Sequence, residues 1–125
     1  MVFQCDAAFV TLAGANSQVL VEFYRQLFGI EPQPNIPNVY SEFQISGLRL
    51  GIFTPKKSNE KEFSNQAKTG LSLCLQVNDL EAAISHLHSL GYPPPGDILT
   101  ASHGREIYAY DPAGNRLILY QPYSS

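Results

Sequence analysis

Two glutamates carry the clearest chemical signal in this sequence, because each stands two residues from a tyrosine. Glu42 follows Tyr40, and Glu106 precedes Tyr108. Residues two apart in an extended strand point to the same face, so each pair is expected to share a surface. A carboxylate beside aromatic rings suits a flat or cationic ligand, through ring stacking and cation–π contact. The two glutamates are expected to hold matching positions in the two halves of the chain.

Ion pairing is the alternative role for both glutamates. Arg49 and Arg116 are predicted at the rim of the same sheets, within reach of Glu42 and Glu106. Exposed pairs of this kind contribute little to stability. The sequence leaves both roles open.

The histidines and one cysteine are weaker candidates. His86 and His88 stand two residues apart on a predicted helix, so they point to different sides and cannot hold one metal ion together. His103 could hydrogen-bond a ligand or act as an acid or base, but no carboxylate is paired with it in sequence, which favours a solvated loop residue. Cys74 could be a nucleophile, yet no basic residue flanks it to lower its pKa, so a small apolar wall residue is the better interpretation.

The elements that would position these side chains occur twice in the chain. The first copy is predicted as a strand over 7–13, a helix capped by Asn16 or Ser17 and ended by Gly29, and hairpin strands 39–45 and 48–53. The second copy is predicted as a strand over 71–77, a helix over about 80–90 and a hairpin over 105–120, with Asp111 and Asn115 as turn formers around Gly114. Such an internal repeat predicts an α+β fold of two tandem βαβββ modules.

Alternation assigns a face to each strand residue. The residues expected to pack under the helices are Phe43, Ile45, Leu48, Leu50, Ile52, Leu71, Leu73, Leu75, Val77, Ile107, Ala109, Leu117 and Leu119. The residues expected on the opposite faces are Tyr40, Glu42, Gln44, Arg49, Gly51, Phe53, Ser72, Cys74, Gln76, Glu106, Tyr108, Ile118 and Tyr120. This second set mixes aromatic rings with carboxylates and hydroxyls, as a concave ligand-binding surface does.

Composition limits the classes of function. The chain has 125 residues, of which 44% are hydrophobic and 15% charged, with a net charge of −3. One compact domain is expected, and the charge offers no field for binding nucleic acid. No apolar run approaches membrane-spanning length, so no membrane partner is expected. The 2 cysteines lack a metal or redox motif, which favours a reducing cytoplasm.

Two motifs carry a resemblance to a known family. Phe23-Tyr24-Arg25-Gln26-Leu27-Phe28-Gly29 ends the first helix, and Asp111-Pro112-Ala113-Gly114-Asn115 precedes the last strand. Together with the duplication, they resemble the vicinal oxygen chelate superfamily, which includes glyoxalase I, bleomycin-resistance proteins and extradiol dioxygenases. The resemblance implies a single domain over 1–125, with modules of about 7–54 and 69–122 and a linker over 55–68. It also implies a curled mixed sheet around a cup-shaped pocket, and a homodimer.

The resemblance also identifies where a metal would be held. Metal-using members place His, Gln or Glu on the first and last strands of each module. The corresponding positions here are Phe9 and Ser72 on the first strands, and Gly51 and Ile118 on the last strands. Since these side chains are poor ligands or cannot ligate at all, neither a metal nor another cofactor is expected. The bleomycin-resistance branch, which binds its ligand without metal, becomes the leading comparison.

The sequence therefore predicts a metal-independent protein that binds a small aromatic or cationic molecule. The predicted ligand-binding residues are Phe9, Tyr40, Glu42, Phe53, Ser72, Cys74, Glu106, Tyr108, Ile118 and Tyr120. The alternative is a lyase or dioxygenase-like enzyme of the same superfamily, using Glu106, Tyr108 or His103 for acid–base chemistry. A protein-interaction module is a third class, and it would need a large exposed apolar patch.

Overall fold

The computed structural model describes residues 2–64 and 69–123 of the chain, in two compact units, 1–63 and 64–125. The first unit contains β1 (Val10–Ala13), α1 (Ser17–Phe28), β2 (Asn35–Ile36), β3 (Tyr40–Ile45), β4 (Leu48–Phe53) and a short 3₁₀ helix (Lys57–Phe63). The second contains β5 (Leu73–Gln76), α2 (Leu80–Leu90), β6 (Leu99–Thr100), β7 (Gly104–Tyr110) and β8 (Arg116–Pro122). Each unit thus has the order βαβββ, and the predicted α+β fold of two tandem modules is confirmed.

The first unit is a four-stranded mixed sheet in the order β1-β4-β3-β2. β1 runs parallel to β4, while β3 and β4 form the predicted hairpin, with Ile45 opposite Leu48. Helix α1 packs on one face of this sheet and buries Leu20, Val21, Phe23 and Tyr24. The fully buried core comprises Leu20, Tyr24, Phe43, Leu50 and Ile52.

The second unit repeats this arrangement in the order β5-β8-β7-β6. Leu73 pairs with Leu117 in the parallel ladder, and Ala109 stands opposite Leu117 in the antiparallel one. Both Ala109 and Leu117 are completely buried, as are Leu80 and Leu87 of α2. The face under the helix is therefore mostly apolar in both units, as alternation predicts, with Ser41 as a buried polar exception in the first.

The ends of both helices follow from local chemistry. Gly29 and Gly91 take left-handed conformations that other residues rarely adopt, and their N–H groups donate back to helix carbonyls. The Asp79 carboxylate caps α2 by accepting from the N–H of Ala82. Asn16 stands at the start of α1 but makes no side-chain capping hydrogen bond.

A strand side chain completes the start of α2. Gln121 on β8 accepts the N–H of Leu80 at 2.7 Å, and the Arg105 guanidinium donates to the same oxygen at 3.3 Å. Arg105 is in turn held by Glu81 of the helix, through hydrogen bonds of 2.6 and 2.9 Å. This chain of contacts links β7, β8 and α2.

Several predicted boundaries were wrong by two or three residues. The first strand begins at Val10 rather than at residue 7, and β5 covers only Leu73–Gln76 rather than 71–77. Leu71 therefore lies outside the pleat and is 66% exposed, although alternation placed it under the helix. Within the predicted linker over 55–68, residues 57–63 form the 3₁₀ helix, and residues 65–68 lie outside the described part of the chain.

Asp111 forms the predicted turn in the second hairpin. Its carboxylate accepts from the backbone N–H groups of Ala113 and Asn115, and from the Asn115 side chain at 2.8 Å. The carboxylate is thus committed to shaping the connection between β7 and β8. Neither Asp111 nor Asn115 is a candidate for chemistry.

Candidate ligand-binding site

The helix-free face of the first unit is organised around the carboxylate of Glu42. The Tyr40 O–H donates to one carboxylate oxygen at 2.7 Å, and the Gln44 side-chain amide donates to the other at 2.7 Å. The Arg49 guanidinium lies 3.6 Å from the first oxygen, so the predicted ion pair is present. The hydrogen bond from Tyr40 is the main cause that lowers the pKa of Glu42, and its side chain is only 13% exposed. Glu42 is therefore an ionised carboxylate that its own neighbours neutralise.

Arg49 also joins the aromatic residues of this face. Its guanidinium carbon lies 4.2 Å from the centre of the Phe9 ring, which is a cation–π contact. Its Nε is buried and has no hydrogen-bond partner among the described residues. Arg49 thus links the ring of Phe9 to the Glu42 carboxylate.

Gly51 makes room for the ring of Tyr40. A Cβ added at Gly51 would lie 2.6 Å from the Tyr40 hydroxyl and 2.9 Å from a ring carbon. The absence of a side chain at this position lets the tyrosine lie across β4 and reach Glu42. Partial burial raises the pKa of the Tyr40 phenol, and the Glu42 carboxylate adds to the shift. Nearby, Phe53 meets Phe63 edge to face, with ring centres 5.2 Å apart.

Arg116 shapes the corresponding face of the second unit, but not by pairing with Glu106. Its guanidinium donates to the Ser72 hydroxyl and to the Thr69 carbonyl, both at 3.0 Å. Within residues 2–64 and 69–123, Glu106 receives no hydrogen bond and forms no ion pair. The ion pair considered for Glu106 is therefore absent from this part of the chain.

The register corrects the expectation that the two glutamates hold matching positions. Glu42 stands opposite Gly51, whereas Glu106 stands opposite Tyr120. The residue that corresponds to Glu42 is Tyr108, which stands opposite Ile118. The tyrosine and the glutamate have therefore exchanged places between the two copies, and Glu106 corresponds to Tyr40.

The other predicted residues of the second unit lie on adjacent strands. Cys74 stands beside Ile118, which in turn stands opposite Tyr108. Cys74 is free and exposed, and desolvation, with a smaller contribution from Glu106, raises the pKa of its thiol. A raised pKa disfavours the thiolate, which agrees with a wall residue rather than a nucleophile. Tyr120 donates to the His103 carbonyl at 3.3 Å, and the ring centres of these residues are 5.5 Å apart.

The ten predicted residues thus divide between the two units. The first unit holds Phe9, Tyr40, Glu42 and Phe53, and the second holds Ser72, Cys74, Glu106, Tyr108, Ile118 and Tyr120. A broad, open depression of about 780 Å³ lies elsewhere on the second unit, and none of these ten residues lines it. The depression is lined by Gln76, Val77, Asn78, Gln121, Pro122 and Tyr123.

Contacts that organise the two faces involve residues that were not predicted as ligand-binding. Arg49 and Gln44 hold Glu42, and Arg116 holds Ser72. Alternation along the strands predicted the positions of Arg49 and Gln44 on this face, whereas Arg116 was expected only at the rim of the sheet. Which residues they bind depends on the register between neighbouring strands, and this register could not be predicted from the residue types alone.

The donor set does not fit the metal that some relatives use. The Phe9 ring is covered by a guanidinium, and Gly51 and Ile118 have no ligand atoms. The Ser72 hydroxyl accepts from Arg116, which places a cation beside the one remaining oxygen. Among the described residues, no group of three or more His, Cys, Asp or Glu side chains is arranged to hold a metal ion.

Paired βαβββ modules with mixed sheets define the fold class of this protein. The sequence model of the Glyoxalase/Bleomycin resistance protein/Dioxygenase superfamily matches residues 8–119. The chain therefore belongs to this superfamily. No curated protein matches the chain. Of the helices in the described ranges, none has the length and apolar character to cross a membrane.

Solved structures show the same fold at low sequence identity. A protein of Agrobacterium tumefaciens solved by NMR is 22% identical with a TM-score of 0.75, covering 93% of this chain and 96% of that one. The fosfomycin resistance protein FosX of Listeria monocytogenes, as an E126Q mutant with Mn(II) and a dihydroxypropylphosphonic acid, is 19% identical with a TM-score of 0.74, covering 94% and 90%. A bleomycin-binding protein in complex with bleomycin is 20% identical with a TM-score of 0.63, covering 95% and 100%.

Proposed function

We propose that this protein binds a small aromatic or cationic organic molecule on the helix-free faces of its sheets, without a metal ion. The proposal rests on the side chains found at the four positions where, according to the resemblance, metal-using members hold their ion. A cation–π pair, a glycine covered by a tyrosine ring, an isoleucine and an arginine-bound serine stand where metal ligands would be needed. Aromatic rings and carboxylates remain beside them, as in a site that binds by stacking and charge.

The similarity to a protein solved in complex with bleomycin supports the binding of a small organic molecule. Homodimerisation and a cytoplasmic location are parts of the same proposal. Both cysteines are free and exposed, which suits a reducing compartment. Size-exclusion chromatography with light scattering tests the dimer.

An enzyme of the same superfamily is the second candidate. It is favoured by the Glu106 carboxylate, which has no partner among the described side chains and could take or give a proton. Turnover of any retained compound would support this candidate, and binding with quantitative recovery of the unchanged compound would oppose it.

Native mass spectrometry of the purified protein is the first experiment, because it detects both a retained ligand and a bound metal. Protein incubated with Zn²⁺, Ni²⁺, Mn²⁺ and Fe²⁺ and then desalted should retain none stoichiometrically. One tightly held ion per site would overturn the metal-independent proposal and support the enzyme.

A thermal-shift screen of aromatic and cationic compounds is the second experiment. Wild-type protein should be stabilised by at least one compound, and Tyr108→Ala should weaken that effect by removing stacking area. Tyr92→Ala is the control, because Tyr92 follows the end of α2 and lines neither the proposed faces nor the depression. Ligand binding is refuted if no compound stabilises the wild type and no ligand is retained.

A further inference from the structure

The carboxylates of the two helix-free faces differ in whether the protein itself satisfies them. Glu42 accepts hydrogen bonds from Tyr40 and Gln44 and lies 3.6 Å from the Arg49 guanidinium. A ligand cation would have to displace these groups to reach it. Glu106 has no such donor in the ranges 2–64 and 69–123. Only Glu106 keeps its full capacity to accept hydrogen bonds from a ligand.

The arginines nearest to Glu106 in sequence and register are committed elsewhere. Arg105 precedes it on β7 but points to the helix side, where Glu81 binds its guanidinium at 2.6 and 2.9 Å. Arg116 on β8 donates to Ser72 and Thr69. The negative charge of Glu106 is therefore left without a counter-charge in the described part of its unit.

Aromatic residues flank this carboxylate on the same face. Tyr120 stands directly opposite Glu106, and Tyr108 lies two residues along β7. The Tyr120 ring is fixed by its hydrogen bond to His103 and fits beside Gly104, where an added Cβ would lie 2.8 Å from a ring carbon. Tyr108 is 40% exposed, and its hydroxyl makes no hydrogen bond to another described residue. One ring is thus held in place, and the other is open to a ligand.

We propose that Glu106, Tyr108 and Tyr120 form the cation-recognition element of the ligand-binding site, specific for an organic ammonium group attached to an aromatic ring. This assignment rests on the proposed ligand binding and adds which group of the ligand is recognised, and where. The ammonium donates to the Glu106 carboxylate as a charge-assisted hydrogen bond, and the tyrosine rings supply stacking and cation–π attraction. Glu42 contributes no charge recognition, because its neighbours already neutralise it.

The test compares two compounds that share a naphthylmethyl group, 1-naphthylmethylamine with a cationic ammonium and 1-naphthalenemethanol with a neutral hydroxyl. Their dissociation constants are measured by NMR titration against the wild type and against Glu106→Gln. The wild type should bind the amine more tightly than the alcohol by about tenfold, since hydrogen bonds to charged groups contribute more than neutral ones. Glu106→Gln should abolish this preference while leaving alcohol binding unchanged.

Two controls separate the possible causes. Glu60→Gln removes the same charge from an exposed position on the 3₁₀ helix, so the preference for the amine should survive. Thermal denaturation of Glu106→Gln should match the wild type, because Glu106 has no hydrogen-bond or ion-pair partner among the residues that the structure describes.

Each outcome bears on a different claim. Equal binding of both compounds by the wild type overturns the cation-recognition element and leaves aromatic binding intact. Loss of the preference in Glu42→Gln, but not in Glu106→Gln, assigns recognition to the other face and also overturns the proposal. Binding of neither compound by the wild type overturns the assignment of an aromatic ammonium ligand to this element, whereas ligand binding as such is decided by the thermal-shift screen and the retained-ligand measurement.

Discussion

Leu117→Ala measures how far the two faces of one strand differ. Leu117 is completely buried near the start of β8, between Leu73 and Ala109 on the neighbouring strands. Its neighbour Ile118 points to the opposite, helix-free face and is only partly buried. Each residue loses three carbon atoms on replacement by alanine, so the pair separates the effect of burial from the effect of side-chain size.

The expected cost follows from burial and from the cavity. Three buried carbons at about 0.8 kcal/mol each give about 2.4 kcal/mol. A residual cavity of about 40 Å³, at about 24 cal/mol per Å³, adds about 1 kcal/mol. We therefore expect Leu117→Ala to lower the free energy of unfolding by about 3 kcal/mol and the Tm by about 12 °C. Ile118→Ala should cost about 1 kcal/mol, because its side chain is only partly packed.

Urea denaturation followed by circular dichroism gives both values, provided that the slope with denaturant is the same in the two variants. Tyr108→Ala, on the same face as Ile118, should behave like Ile118→Ala. Equal destabilisation by Leu117→Ala and Ile118→Ala would show that both faces of β8 are packed core. The proposed ligand-binding face would then not exist.

Two further predictions test local contacts. Gly104→Ala should destabilise the protein by about 2 kcal/mol or more, because the new Cβ would lie 2.5 Å from the backbone carbonyl oxygen of Gln121. A backbone carbonyl cannot move aside as a side chain can. A Tm within 2 °C of the wild type, roughly the effect of half a kcal/mol, would contradict this contact. Glu81→Gln should make the stability of the protein less sensitive to a fall in pH below about 4.5. Hydrogen bonds from Arg105 lower the pKa of Glu81 from 4.5 to about 2, so as the pH falls the unfolded chain takes up this proton first. The stabilising effect of the ionised Glu81 is complete above about pH 4.5 and is lost towards pH 2. If thermal melts of Glu81→Gln and the wild type lose stability equally as the pH falls, this contribution of Glu81 is refuted.

Much of the fold could be predicted from the sequence because it depends on local patterns. Helix α2 begins at Leu80 and ends at Leu90 as predicted, since Asp79 and Gly91 mark its ends by their own chemistry. The buried positions of β4 and β8 followed from alternation, which needs only the direction of the strand. The prediction that Leu71 packs under the helix was wrong, because Leu71 precedes the strand and no pleat fixes its side chain.

The partners of the charged residues could not be predicted in the same way. Glu42 and Glu106 look alike in sequence, yet among the residues that the structure describes a counter-charge is found for Glu42 and not for Glu106, because pairing depends on which residues stand across the sheet. The correspondence between the two copies is given only by the strand registers, in which Glu106 matches Tyr40 and Tyr108 matches Glu42. From the sequence, the Arg116 guanidinium could bind either the Glu106 carboxylate or the Ser72 hydroxyl. In the folded protein it donates to Ser72.

The contact between Gln121 and Leu80 has a consequence for how the second unit opens. The first N–H groups of a helix normally face water and exchange their hydrogen through local fraying. Here the Leu80 amide is held by a side chain of β8, which the Arg105 guanidinium also contacts. Fraying of α2 at this end therefore requires the last strand to release its glutamine. The Leu80 amide should exchange with deuterium as slowly as the amides in the centre of β8, as one cooperative segment.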